Sequence, residues 1–152
     1  MFLVTMTAAV KKVVNTSDAA LAERLRAAGV RPTRQRLLIA GLLLDGRHRH
    51  VSADGLAREI RQTGTHMAGG TVYNTLNQFT QAGLLRRIGP DGSRSFFDTN
   101  TSVHPHFYLH GEDVLIDVPE TLVLAQMPEP LPGHEISRLD IIIHVRRKSA
   151  DT

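Results

Sequence analysis

At 152 residues the chain can hold one domain of ordinary size or two small ones, and 18 Lys/Arg against 15 Asp/Glu leave a net charge of only +3. Having no cysteine, it excludes disulfides, thiolate zinc sites and cysteine nucleophiles; no continuous apolar run is long enough to cross a bilayer as a helix. The small net charge hides an asymmetry, because residues 1–97 carry 14 Lys/Arg against 6 Asp/Glu while residues 98–152 carry 4 against 9. A basic half able to release counterions from nucleic acid therefore precedes an acidic half unsuited to it.

In chain order, Met1 to Val10 is apolar but brief, and Lys11-Lys12 lies on the wrong side of it for a secretory signal. Residues 1–16 are expected to be a disordered extension, with Met6 as an alternative start, and the protein to be cytoplasmic. Ser17 or Asp18 can cap a first helix whose Leu21, Leu25 and Ala28 form one face and which Gly29 ends. Pro32-Thr33 opens a second helix running to about Asp45, with Leu38, Ile39, Leu42 and Leu43 inward. Basic side chains near a helix start oppose the macrodipole, so Arg31, Arg34 and Arg36 read either as phosphate clamps or as solubilising charge. Gly46 to His50 is a polar loop. Ser52 then caps a helix over Ala53–Gln62 that packs through Leu56 and Ile60, and Thr63 to His66 forms a turn.

The most informative stretch is the next helix, Ala68 to Gly83. Val72, Leu76 and Phe79 recur at the spacing of one face, and Thr71, Tyr73, Asn74, Asn77, Gln78 and Gln81 occupy the other. That second face is polar but uncharged, which suits base edges and phosphates better than plain solvation, where Glu/Lys pairs are usual. With Ala68-Gly69-Gly70 at its start, the first turn lacks a side-chain cap and is expected to order only on DNA. Two strand-like runs follow, Leu84 to Ile88 and Ser93 to Phe97, the second carrying Arg94, around the turn-forming Gly89-Pro90-Asp91-Gly92. Helix, turn, helix and basic hairpin make a winged helix-turn-helix pattern.

Beyond it, His104 and His106 are two apart, so on a strand both imidazoles project from one face and can share an ion, with Asp98 offering a hard carboxylate nearby. The alternative is a surface coincidence. Phe107 to Leu109, Val114 to Val118, Leu122 to Gln126 and Ile136 to Val145 read as strands, separated by turns such as the proline-rich Met127 to Gly133. Ile141 to Ile143 is too apolar for a bare edge and is expected to pair or to pack across a dimer. His66, His134 and His144 look incidental.

Taken as a set, Gly29 to Arg36, His50 to Asp54, Gly70 to Leu76, Ala82 to Arg87 and His104-Pro105-His106 resemble the ferric uptake regulator family, in the right order and spacing from about Leu21 to Val118. Gly133 to Asp140 and the strand after it are similar to the iron response regulator branch, known from haem-sensing alphaproteobacterial members. The resemblance implies an α+β protein with an N-terminal winged helix-turn-helix domain followed by a small α/β dimerisation domain with an antiparallel sheet. Residues 17–98 would bind DNA, residues 99–148 would dimerise and sense metal or haem, and residues 149–152 would be a tail. It brings His50 beside Asp98, His104 and His106 as a regulatory site for one divalent ion per subunit, Fe(II) or Mn(II), with Zn(II) able to compete.

The resemblance further implies a homodimer on palindromic double-stranded DNA, read through Arg31, Arg34, Arg36, Thr71, Tyr73, Asn74, Asn77 and Arg94, with no membrane association. Tyr73 matches a position associated with base contact, whereas Asn74 replaces a usual arginine and Ala68 a usual serine. Haem, if it is the effector, would use His104, His106 or His110, since the Cys-Pro haem motif of some members is missing. A second metal site common in the family is expected to be absent, with Asp117 its only remnant. Two other classes compete: an effector-blind winged-helix repressor, and a small non-haem iron enzyme, for which too few strands follow Asp98.

Overall fold

The structure is a computed structural model describing residues 18–89 and 95–150. The expected extension at residues 1–16, the cap candidate Ser17 and the expected DNA contact Arg94 lie outside the described residues. Contacts divide the chain between Thr101 and Ser102 into two compact units.

In the first unit, helix α1 occupies residues 18–27 and stops at Gly29, whose φ of 79° is open to glycine at little cost. Helix α2 (Arg34–Leu43) starts at Thr33, whose hydroxyl accepts from the Arg36 N–H at 3.3 Å. Strand β1 (His50–Val51) comes next, and helix α3 (Ala53–Gln62) is capped by Ser52, whose Oγ accepts from the Gly55 N–H at 3.1 Å. Helix α4 (Gly69–Gln81) has Ala68 at its cap position and no side-chain cap bond. It ends where Gly83 turns to φ 77° and the Leu84 N–H reaches back to the Phe79 carbonyl at 2.9 Å.

Strands β2 (Arg86–Ile88) and β3 (Phe96–Asp98) pair antiparallel, and β1 joins the far side of β3 to give the order β1-β3-β2. The two-residue β1 corrects the reading of Gly46 to His50 as loop throughout. So short a strand has no periodicity of its own and exists because β3 offers it an edge. Leu25, Ile39, Leu43, Leu56, Ile60, Leu76, Phe79 and Phe97, each at most 1% exposed, form the core, so the apolar faces of all four helices meet the sheet in one cluster.

The second unit is a three-stranded sheet of order β5-β4-β6, made of β4 (His106–Leu109), β5 (Val114–Asp117) and β6 (Ile142–Val145). Gly111 at φ 85° and Asp113 at φ 55° turn the β4–β5 hairpin and set a register in which His106 lies opposite Asp117. The α+β class stands. Within this unit the sheet is mixed, because β6 runs parallel to β4, and residues 102–150 contain no helix. Leu122 to Gln126 forms no strand, and the expected Ile136 to Val145 strand shrinks to Ile142–Val145. Strands persist only where a ladder partner exists, and β4 offers four residues, while Pro128, Pro130 and Pro132 remove donors from the connection. Among the described residues no helix is long and apolar enough to cross a membrane.

Candidate metal centre and nucleic-acid face

Among the described residues, the His and carboxylate groups able to hold a metal ion are His50 and Asp98 in the first unit and His104, His106 and Asp117 in the second. In the first unit, the β1–β3 ladder sets His50 directly opposite Asp98, with Nε2 3.0 Å from Oδ2. Asp98 is 1% exposed, and its Oδ1 accepts from the Asn100 N–H at 2.8 Å. One carboxylate oxygen is thus held by backbone while the other faces the imidazole. A buried carboxylate is costly unless a cation or donors compensate it, so this end of β3 favours positive charge.

β1 is held in place from both sides. The Arg49 N–H donates to Thr99 Oγ1 at 2.9 Å, the Thr99 N–H donates to the Arg49 carbonyl at 3.1 Å, and the Thr99 hydroxyl donates to the Arg47 carbonyl at 3.1 Å. The Arg49 guanidinium reaches both oxygens of Glu59 on α3, at 3.1 and 2.6 Å. Its hydrogen bond, more than its charge, holds the Glu59 carboxyl below its ordinary range, and Glu59 in turn raises Arg49.

In the second unit, one oxygen of Asp117 meets two imidazoles, with Oδ1 3.0 Å from His104 Nε2 and 3.2 Å from His106 Nε2. The rings lie 4.3 Å apart between centroids, and His106 is almost fully buried. His104 Nδ1 is 2.8 Å from the Ser102 carbonyl, which only accepts, so the proton of the neutral ring belongs on Nδ1. That leaves a lone pair on Nε2 aimed at a carboxylate oxygen. Two acceptors at 3.0 Å repel unless a second ring proton or a metal cation lies between them. A histidine whose far nitrogen is tied to a backbone carbonyl is the usual arrangement of a metal ligand. Imidazoles with carboxylates form a mixed N,O donor set that suits Fe(II), Mn(II) or Zn(II).

The structure thus sets His50 with Asp98 and His104 with His106, and it adds Asp117. Sequence reasoning had kept Asp117 only as the remnant of a second site. The signal was present in the hairpin: centring the turn on His110 to Asp113 puts Asp117 across from His106. His110 joins neither group. It lies four residues beyond His106, about 13 Å along a strand, and its Nε2 is 2.8 Å from His144 Nδ1. His144, which looked incidental, is therefore a partner.

On α4, Val72, Thr75, Leu76 and Phe79 are buried, Asn74 and Gln78 are exposed, and Thr71, Tyr73 and Asn77 are half-buried. Arg87 on β2 explains part of that burial. It donates to Ser95 Oγ at 3.0 Å, to Tyr73 Oη at 3.4 Å and to Asn77 Oδ1 at 3.5 Å, and it lies 6.0 Å from the Phe97 ring centroid. Sequence reasoning treated Arg87 only as wing charge. With its oxygen turned to the guanidinium, Asn77 keeps an NH2 to offer outward. Arg31 and Arg34 are exposed, whereas Arg36 donates to the Arg31 carbonyl and to Gln78 Oε1, both at 2.8 Å, and so ties the α1–α2 loop to α4.

The model of the family described as "Ferric uptake regulator family" matches residues 27–131. Similar proteins include ferric uptake regulation protein 1 of Mycolicibacterium fortuitum, 38% identical over 82 residues, which are 54% of this chain and 50% of that protein. The ferric uptake regulation protein of Shigella flexneri is 38% identical over 85 residues, 56% and 57% of the two chains. The chain thus spans about half the length of these two relatives. It is 28% identical to the Pseudomonas aeruginosa protein over 127 residues, 82% of this chain and 95% of that one. Of solved structures, the P. aeruginosa regulator with manganese superposes with a TM-score of 0.59 at 25% identity, covering 84% of this chain and 97% of that one. The Vibrio cholerae ferric uptake regulator gives 0.62 at 21% identity over 83% and 98%, a likeness of fold. Since the family match takes in well over half of the chain, from α1 past β5, the chain belongs to the ferric uptake regulator family.

Proposed function

We propose that this chain is a metal-responsive transcription regulator that binds inverted-repeat duplex DNA as a homodimer in the cytoplasm, with one regulatory divalent ion per subunit. The observation that carries the reading is the convergence of His104 Nε2, His106 Nε2 and Asp117 Oδ1, with His104 Nδ1 already committed to a carbonyl. Family members are regulators and not enzymes, which removes the non-haem iron enzyme from consideration. The P. aeruginosa relative, solved with manganese, supports a divalent ion of the iron and manganese class.

His50 and Asp98 supply two donors and His104, His106 and Asp117 supply three, so neither group alone fills the four to six positions such ions prefer. Asp98 and His104 are six residues apart, a tether of at most about 20 Å. One ion satisfying both groups would fix the DNA-binding unit against the other and favour one spacing of the two α4 helices in a dimer. Its effect is limited to its preference for that arrangement, ordinarily ~1–3 kcal/mol. Asn74, Thr71, Tyr73 and Asn77 would face bases, with Arg31, Arg34, Arg36 and Arg94 on phosphates. Arg36 would have to exchange Gln78 for a phosphate.

Dimerisation through the second unit is supported by its exposed apolar side chains, from Val123 at 85% to Leu139 at 37%, against a single buried hydrophobic, Leu115, among the described residues. So little core cannot stabilise the unit alone. The finer reading, that haem acts on an iron response type of regulator, rests on the resemblance of Gly133 to Asp140.

The test is fluorescence anisotropy of a family-type operator with metal-free protein, with Mn(II) and with haem. Tightening by Mn(II) that is lost in His104→Gln/His106→Gln supports the metal site, and release by haem supports the haem reading. Unchanged affinity in the variant, with no response to either effector, would select the effector-blind repressor.

A further inference from the structure

A second pair of imidazoles lies outside both groups described above. His110 Nε2 is 2.8 Å from His144 Nδ1, with ring centroids 5.0 Å apart and planes at 32°. Both side chains are exposed. The sheet builds the pair: β4 and β6 run parallel with Tyr108 opposite His144, and the His110 N–H donates to the Val145 carbonyl at 2.9 Å. The Tyr108 ring meets both imidazoles edge-on, at 4.8 and 5.6 Å, while its hydroxyl donates to Asp113 Oδ1 at 2.6 Å. Arg147 grips Glu112 at 2.6 and 2.5 Å, joining the same two chain segments again. Ring orientation is therefore set by neighbours, and the nearby Glu112 already has its counter-charge.

We propose that His110 and His144 form a second, weaker metal site, selective for divalent copper or nickel, that staples β6 to β4. In the neutral pair one nitrogen donates a proton to the other; without that proton, a turn of the two exposed rings brings both lone pairs to one ion. With metal–nitrogen bonds of about 2.0–2.1 Å, a separation of 2.8 Å subtends roughly 85° at the ion, whereas a tetrahedral ion would need about 3.3 Å. Near-right angles between nitrogens belong to tetragonal Cu(II) and Ni(II), and imidazole affinity rises toward copper along the divalent series. The pair includes no carboxylate, so oxygen-seeking Mn(II) and Fe(II) gain little there and favour the group containing Asp117. Water completes the coordination at this exposed position. The site stands on the second unit alone and does not depend on the DNA-binding reading.

The test uses the full chain carrying His104→Gln/His106→Gln, titrated with Cu(II) and Ni(II) by calorimetry, with electron paramagnetic resonance for the copper ligands. One equivalent per chain with two-nitrogen hyperfine structure is expected. Adding His144→Gln or, separately, His110→Asn should weaken it on the order of a hundredfold, the usual loss when a two-point attachment becomes one-point. Circular dichroism without metal should not change, and excess Mn(II) should not displace the copper. Copper affinity unaltered by both substitutions, as for an ion on the terminal amine, would overturn the proposal. So would Mn(II) binding as tightly as copper.

Discussion

Replacing Asp117 by Asn keeps the shape of the side chain and removes the charge that His104 and His106 share. Its Oδ1 lies 3.0 and 3.2 Å from the two Nε2 atoms, so an ion bound by both rings would coordinate this oxygen directly. A unit charge pair about 4 Å apart at an effective dielectric near 20 is worth ~4 kcal/mol. The Asp117 side chain is 43% exposed, and solvent screening reduces the expected loss to about 2 kcal/mol, or roughly thirtyfold in affinity. Without metal the substitution should cost nothing, because the Asn amide can donate to the His104 lone pair that now faces a carboxylate. Competition for Mn(II) against a fluorescent chelator reads the affinity, and thermal melting of metal-free protein reads the control. Mn(II) affinity within twofold of the parent, with intact melting, would show that Asp117 is not a ligand. It would also remove the reason for treating the three side chains as one group.

Other expectations follow from the first unit. Ala68→Ser supplies the missing cap of α4 at an extended residue (φ −61°, ψ 140°), should add about 1 kcal/mol of stability, and should slow amide exchange at Gly70 and Thr71; unchanged exchange would mean the first turn is already held. Phe79→Ala empties the centre of the core and should cost ~3–5 kcal/mol in urea unfolding, enough to threaten the whole unit. The Glu59 carboxyl is depressed in the folded chain by Arg49, so its contribution is present above the ordinary value near 4.5 and is lost as pH falls through the lower folded value. The stability gap between parent and Glu59→Gln should therefore be flat above about pH 5 and close below it. Since Arg49 is 27% and Glu59 34% exposed, the gap should be at most about 1 kcal/mol. A gap that widens on acidification would contradict the assignment.

The helices of the first unit were legible because each signal was local. Ser52 before Leu56 and Ile60, and Val72, Leu76 and Phe79 before Gly83, set caps, faces and ends within a turn or two. Asp98, His104 and His106 were legible from residue type and spacing, and His50 only through resemblance. What escaped depended on pairing across the chain. β1 needs the edge of β3, Asp117 needs the hairpin register, and the His110 and His144 contact needs the parallel alignment of β6 with β4. The converse error was Leu122 to Gln126, whose composition fits a strand but which has no ladder partner among the described residues. Arg87 shows the same limit, because its hold on Tyr73 and Asn77 joins a wing strand to a helix ten or more residues away.

The parallel placement of β6 also sets the order in which the second unit assembles. β4 and β5 are joined by a tight turn and can pair early, whereas β6 must first close a loop of 24 residues, 118–141, interrupted by prolines. Until it arrives, one side of β4 is an open row of backbone donors and acceptors beside apolar side chains, which is the form that invites wrong pairing between chains. The apolar Ile142 and Ile143 thus shield their own neighbour as well as extending the sheet. A lesion that loosens β6 should appear as aggregation during synthesis before it appears as weakened metal or DNA binding.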